Sequence, residues 1–422
     1  VAAVRAAILV TGDEILRGRI REANAGILAR SLEERGIEID HVEIVGDALD
    51  PLVAALGRLL ASGVDLVCVT GGLGPTHDDL SMEAVGRATG RPLAVDAGAL
   101  EMVRARSLAL TRAPAVQRAV QEKQASLPAG AAVLPPAGTA PGAVLEHEGV
   151  VVVVLPGPPW ELESMWEAAL AAQPALAALV DRAGDAHERV LRIHAVPESL
   201  LVAEIDGLAR DVWDRLTVGI CAREGELEVT IRADPADAWA ADALEERVAG
   251  ALGDALFSRD GATVDEVVAR ALVAARQTVA VAESCTGGGL GARLTARPGS
   301  SAYVLGGVIA YADAAKTALL DVDPQLLRRH GAVSAECAEA MAEGARRRLG
   351  SDWALSITGV AGPGGGTEDK PVGLVYVGVS GPSRTAHIRF DRSFGGREGI
   401  RARAVASALH LLRTELAGGR PG

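Results

Sequence analysis

The chain has 422 residues, 49% of them hydrophobic and 23% charged, the balance of folded globular proteins and enough length for two or three domains. Acidic residues outnumber basic ones by 55 to 42, a net charge of −13, and only 3% are aromatic, so neither the cationic footprint nor the stacking platforms of a nucleic-acid binder are expected. No apolar run reaches the roughly 18 residues of a membrane span and Ala6–Val10 is too short for a signal-peptide core, so the expectation is a cytoplasmic protein without a membrane partner.

In chain order, the first 90 residues alternate apolar runs with helical patterns: Ala6–Val10, a helix after Asn24, His41–Val45, a helix after Asp50, then Val64–Val69 running into a glycine-rich turn. Such alternation predicts a parallel sheet with crossover helices. A long helical stretch over Asp96–Lys123, a Pro/Gly-rich segment near Pro135–Gly142 and a buried strand Val150–Leu155 follow, and the first domain is expected to close at residue 171. Residues 172–256 form a second, small α+β module: strand Arg189–Ala195, helix Glu198–Leu208, strands Leu216–Ala222 and Glu226–Arg232 around a turn at Glu224–Gly225, and helix Asp237–Leu252. It contains no evident catalytic cluster. A third α/β unit, 257–418, opens with a helix, the strand Thr278–Val281 and a second glycine-rich turn.

The cysteines Cys68, Cys221, Cys285 and Cys337 are scattered without CxxC pairing, which argues for free thiols rather than zinc or disulfides. Only Lys123, Lys316 and Lys370 are lysines in an arginine-rich chain. Two of the three lie in or beside motif segments, where a titratable amine has a use that arginine cannot serve.

The segment Thr70-Gly71-Gly72-Leu73-Gly74-Pro75-Thr76-His77-Asp78-Asp79 joins a strand to a helix, a place where exposed backbone N–H groups hold phosphate and adjacent carboxylates hold a divalent cation. The competing reading is a tight turn with Asp79 as a helix cap. Thr11-Gly12-Asp13-Glu14 and Asn24 form a second polar cluster at the same carboxyl edge. In the third unit, Ala282-Glu283-Ser284-Cys285-Thr286-Gly287-Gly288-Gly289 places a serine and a cysteine at a helix start, where an oxyanion is favoured. The eight histidines avoid these segments, so a Ser-His-Asp triad is not indicated. Lysine serves instead when burial strips its charge, which draws in Lys316, while Cys285 stays the rival nucleophile; spacing does not choose between them.

Taken together and in order, GDEILRGRIREANA, TGGLGPTHDDLSMEA and VLPGPPWE, then AESCTGG, LGGVIAYADAAKTALL, ITGVAGPGGGT and KPVG, resemble the competence/damage-inducible protein A (CinA) family over essentially the whole chain. The resemblance implies an α/β protein with an N-terminal molybdopterin-binding-like three-layer domain, a KH-like module without a clear GxxG clamp, and a C-terminal nicotinamide-nucleotide amidase domain. It implies that the third unit hydrolyses nicotinamide mononucleotide to nicotinate mononucleotide and ammonia without a cofactor. Ser284 would be the nucleophile, Lys316 its base, Tyr311 an orienting neighbour and Thr358 close to the reacting group. The amides of Thr286, Gly287 and Gly288 are our expectation for the oxyanion site, and Gly364, Gly365, Gly366 and Thr367 would hold the nucleotide phosphate. Family members commonly carry Asp before the arginine of a GDRE-type element; here Phe394-Gly395-Gly396-Arg397-Glu398 lacks it, which leaves the role of Arg397 toward substrate open.

For the first domain the resemblance implies metal-assisted cleavage of ADP-ribose to AMP and ribose 5-phosphate. Gly12, Glu14, Asn24, Gly71, Gly72, Gly74 and Thr76 would bind substrate, with a divalent cation on Asp78, Asp79 and Asp47. The alternative is a domain that only binds a pterin or nucleotide, in a protein acting through partners in DNA uptake or repair. The expected partners are small nucleotides and a second copy of the chain in a homodimer.

Overall fold

The structure, a computed structural model, describes residues 3–106, 114–183, 187–391 and 395–418. Phe394 and the middle of the expected Asp96–Lys123 helix lie outside the described residues. The chain divides into two compact units, Val1–Ala186 and His187–Gly422.

In the first unit, runs apolar on both faces make the central strands. β1 (Arg5–Thr11), β3 (Leu66–Thr70) and β8 (Val150–Leu155) are buried along almost their whole length, the pattern of parallel strands covered on two sides. With β2 (Glu38–Val45), β6 (Ala132–Leu134) and β7 (Gly142–His147) they form one sheet in the order β2-β1-β3-β8-β7-β6, parallel from β2 to β8 and antiparallel beyond. Alternate residues of β1 feed opposite cores. Ala6, Ile8 and Val10 meet α2 (Asn24–Glu33), α7 (Pro159–Ala172) and α8 (Pro174–Ala183), whereas Ala7 and Leu9 meet α3 (Leu49–Ala61) and α4 (Ser81–Ala88), giving three layers. The described parts of the expected Asp96–Lys123 stretch are the helices α5 (Ala97–Arg106) and α6 (Pro114–Gln124), flanked by a short ribbon of β4 (Leu93–Val95) and β5 (Ser126–Pro128). The four-residue α1 (Asp13–Leu16) follows β1. The unit continues past residue 171 because Leu176 and Leu179 of α8 are buried in its core.

The second unit holds two sheets. β9 (His187–His194), α9 (Glu198–Ile205), α10 (Arg210–Trp213), β10 (Leu216–Arg223), β11 (Glu226–Ala233) and α11 (Ala238–Leu252) follow the β-α-β-β-α order read from sequence, and β12 (Leu256–Ser258) adds a fourth strand in the antiparallel order β10-β11-β9-β12. The larger sheet runs β14-β13-β15-β16-β17, from β13 (Val279–Glu283), β14 (Val304–Ile309), β15 (Trp353–Gly359), β16 (Leu374–Ser380) and β17 (Thr385–Asp391). α12 (Val264–Ala275), α13 (Gly289–Thr295) and α17 (Gly396–Leu416) cover one face; α14 (Asp313–Leu320), α15 (Pro324–His330) and α16 (Ala335–Leu349) cover the other. The small sheet docks on the large one through α17. His410 bonds Glu226 at 2.8 Å and stacks on His194 with ring centroids 3.6 Å apart. Arg293 bridges Glu224 and Asp265 beside them.

Candidate functional site

In each unit the polar motif residues gather at the carboxyl edge of the parallel strands, the place where open α/β sheets bind ligands. In the first unit a cavity of about 520 Å³ lies there, and every site residue expected of this domain lines it: Gly12, Glu14, Asn24, Asp47, Gly71, Gly72, Gly74, Thr76, Asp78 and Asp79. Gly71 has a positive φ of 101°, and a Cβ there would sit 2.5 Å from the Thr11 carbonyl oxygen, so only glycine lets the turns after β1 and β3 approach. Asn24 stitches the floor together. Its Nδ2 donates to Thr70 Oγ1 at 2.9 Å and to the Gly157 carbonyl at 2.7 Å, which fixes the amide's orientation and leaves Oδ1 buried without a partner among the described residues.

The carboxylates of this cavity are largely engaged by the chain itself. Asp47 accepts from Thr11 Oγ1 at 2.6 Å and from the Asp13 amide at 2.8 Å, tying the end of β1 to α1. Asp79 accepts from the amide and hydroxyl of Thr76 at 2.7 and 2.6 Å, closing the turn rather than capping α4, which starts two residues later. The Thr76 hydroxyl, ahead of its own backbone amide, holds the Asp78 carboxyl below the usual carboxylate range. Among the described residues no three His, Cys, Asp or Glu side chains gather as a metal cage, so the trio Asp47, Asp78 and Asp79 does not form one. Sequence reasoning missed Glu161, which lines the same cavity and belongs to VLPGPPWE. Burial raises its carboxyl, opposed by the Gly138 amide and the charge of Arg106.

In the second unit, register does the assembling. Glu283, the last residue of β13, pairs with Ile309 of β14 and Ile357 of β15, so Ser284 just past β13 and Tyr311 two residues past β14 are brought to the same edge as Thr358, the last but one residue of β15. The Ser284 amide donates to Ile357 O at 2.9 Å and the Ala310 amide to Glu283 O at 2.8 Å, locking the three ends. Lys316, on α14, is 1% exposed, and its Nζ donates back to Tyr311 O at 3.1 Å and to Asp313 Oδ1 at 3.5 Å. The Thr358 hydroxyl donates to Ala332 O at 2.7 Å, which makes it a post for the loop between α15 and α16. Arg397 donates to Gly362 O at 2.7 Å and to the exposed Tyr311 hydroxyl at 3.4 Å, joining the Gly-rich loop to the segment that follows β14. Gly364, Gly365, Gly366 and Thr367 are exposed, and Thr367 closes a turn with Lys370 through its amide and hydroxyl.

One expectation needs correction. The amide of Gly287 donates to Ser284 O, and the amides of Gly288, Leu290 and Gly291 donate to the fully buried Glu283 carboxylate at 3.0, 3.1 and 2.8 Å. The chain fills the start of α13 with its own anion, so the Gly287 and Gly288 amides are spent and do not serve as oxyanion donors. Cys285 is buried, and burial pushes its thiol up to about 11 against the pull of Arg401 and Arg397. Cys337, near Lys316, is likewise pushed up to about 11 by burial, and Cys68 to about 12.

Two family models match the chain: a probable molybdopterin binding domain over residues 7–178 and a CinA C-terminal domain over residues 261–416. The chain is 46% identical to a CinA-like protein of Mycolicibacterium vanbaalenii, across 98% of this chain and 99% of that one. It is 42% identical to a CinA-like protein of Mycobacterium tuberculosis, across 98% of each. A crystal structure of competence damage-inducible protein A from Klebsiella pneumoniae matches 37% of this chain and 97% of its own, with 36% identity and a TM-score of 0.36. Among the described residues no helix is long and apolar enough to cross a membrane.

Proposed function

The chain belongs to the CinA family, and from that premise we propose that it is a two-site hydrolase of pyridine-nucleotide recycling in the cytoplasm. The second unit is the amidase of nicotinamide mononucleotide. The observation that carries this reading is the sheet register, which puts Ser284, Tyr311 and Thr358 at one edge of neighbouring strands, with the buried amine of Lys316 bonded to the Tyr311 carbonyl. In the proposed reaction Ser284 Oγ attacks the carboxamide carbon while Lys316 Nζ takes the serine proton. The tetrahedral intermediate collapses as that proton passes to the leaving amine, and ammonia departs. Water then attacks the acyl-serine and returns the proton to Ser284, releasing nicotinate mononucleotide. Arg397, an exposed cation bonded to the Gly-rich loop and to Tyr311, suits the nucleotide phosphate. The test is ammonia release from nicotinamide mononucleotide by wild-type protein and by Ser284→Ala.

The first unit, on this reading, hydrolyses ADP-ribose to AMP and ribose 5-phosphate. Asp78 and Asp79 stand side by side at the cavity and suit a cation that also rests on substrate phosphates, as magnesium does with one or two carboxylates; Asp47, with both oxygens engaged, contributes structure. Such an ion supplies charge neutralisation at the pyrophosphate. Asn24, with its unpartnered buried acceptor, and the turns at Gly12 and Gly71–Gly74 would contact the nucleotide. The engagement of these carboxylates by the chain's own donors favours a second reading, in which this domain binds a nucleotide or pterin without turnover. Metal-dependent release of AMP from ADP-ribose separates the two.

A further inference from the structure

We propose that Arg401 is a positioning residue of the amidase site, fixing the turn that carries Ser284 through the carbonyl of Thr286; this rests on the amidase reading above. The turn from Ser284 to Gly288 leaves β13 through two left-handed glycines, Gly287 at φ 58° and Gly288 at φ 102°, a conformation with little rigidity of its own. Its inner side is held by the Ser284 amide on Ile357 O and by the Glu283 carboxylate on the start of α13. Its outer side is held across 115 residues, where Arg401 Nη2 donates to Thr286 O at 2.6 Å. That carbonyl also accepts from the Gly289 amide, so the Thr286–Gly287 peptide is gripped from two directions.

The anchor behind this contact is rigid. Arg401 stands one turn after Arg397 on α17, a helix of 21 residues whose far end is fixed by Glu415 to Arg384 and by His410 to Glu226. One helix face therefore reaches three motif segments: Tyr311 and the Gly362 loop through Arg397, and the nucleophile turn through Arg401. The contact is also unfinished. Arg401 Nε and the Thr286 hydroxyl are buried and, among the described residues, lack partners. A partly buried guanidinium whose buried Nε is an open donor is retained at a cost, which fits a site whose hydrogen bonds tighten when substrate arrives. A loosened turn would displace Ser284 Oγ, and a displacement of roughly 1 Å costs on the order of 100-fold in rate without removing a substrate contact.

The experiment uses full-length wild type, Arg401→Gln, Arg401→Lys and Arg401→Ala. It follows ammonia release from nicotinamide mononucleotide, rescue by added guanidinium, and hydrogen exchange of amides 285–289. Expected are a kcat about 100-fold lower in Arg401→Gln with KM within about threefold of wild type. Partial recovery of Arg401→Ala on adding guanidinium is expected too, as is faster exchange at 285–289 with wild-type rates in β15 and β16. Unchanged kcat, a loss confined to KM, or wild-type exchange at 285–289 overturns the proposal. If Arg401→Ala does not fold, Arg401→Gln and Arg401→Lys decide through the same readouts. Absence of turnover by the wild type sinks the amidase reading instead, and exchange alone then decides whether Arg401 holds the turn.

Discussion

Two adjacent candidate nucleophiles, Ser284 and Cys285, leave β13 together, and the structure separates them by a quantity that can be measured. Burial pushes the Cys285 thiol up to about 11, whereas the guanidinium groups of Arg401 and Arg397 only partly oppose it. At pH 7.5 such a thiol is thiolate in about 3 molecules in 10⁴, against roughly one in ten for a free cysteine, so its alkylation is expected to be slowed by about 300-fold before any steric protection is added. The exposed Cys221 provides the internal contrast, since the other three cysteines are buried. The assay is iodoacetamide labelling of native protein at pH 7.5 with peptide mass spectrometry over time, run beside turnover of nicotinamide mononucleotide. Cys221 should label first with turnover intact, Cys285 should label on a timescale hundreds of times longer, and Cys285→Ala should keep kcat within about threefold of wild type. Ser284→Ala should lose essentially all turnover. Fast labelling of Cys285 that tracks inactivation, or activity surviving in Ser284→Ala and lost in Cys285→Ala, would refute the assignment of the serine and the burial argument with it.

Further outcomes follow from the same geometry. Lys316→Arg keeps a cation near the Tyr311 carbonyl but removes the proton acceptor, so kcat should fall by about 10² to 10⁴, the span of general-base catalysis, while thermal unfolding shows whether the buried site tolerates the larger head group; full activity in a folded Lys316→Arg rejects the base. In the first unit, AMP release from ADP-ribose should require a divalent cation and fall at least about tenfold in Asp78→Asn, and saturable binding with no product would leave only the binding reading. Burial, then the neighbouring His410, depresses His194 to about 3, and His410 is held well below its ordinary value by burial and Arg413. The unfolded chain therefore binds more protons, and the second unit is most stable above an unfolded value of about 6.5 and weakens as pH falls, by about 2 kcal/mol at pH 5 from His194 alone. Glu226, raised by burial, works in the opposite sense, and denaturation at pH 7.5 and 5 should show a smaller difference in His194→Phe; an equal difference would exclude this pair as the source.

Much of the fold was legible because its central strands, such as Val150–Leu155, are apolar on both faces, and glycine-rich turns mark their carboxyl ends. Periodicity also gave the order of the small module. It did not give β12, too short to carry a pattern, nor the allegiance of α8, whose Leu176 and Leu179 could serve either neighbour until the core chose the first unit. For the sites, contiguous motifs carried the chemistry-bearing residues, since Ser284 and Tyr311 sit within two residues of a strand end and Lys316 on the helix that follows. What the sequence left hidden is how the polar groups spend their hydrogen bonds. Glu283 looked like part of a glycine turn and proves to be the anion that fills the start of α13, which takes the Gly288 amide first expected at the oxyanion. Asp47 and Asp79 looked like ligands and are engaged by Thr11, Asp13 and Thr76. Arg401 lies 115 residues from the turn it holds, and no local pattern encodes a partner at that separation. A residue type at a strand end therefore states which chemistry is available, but whether its donors and acceptors remain free is decided by contacts from other segments. On that ground α17, through Arg397 and Arg401, belongs to the proposed amidase site as much as the motif bearing Ser284 does.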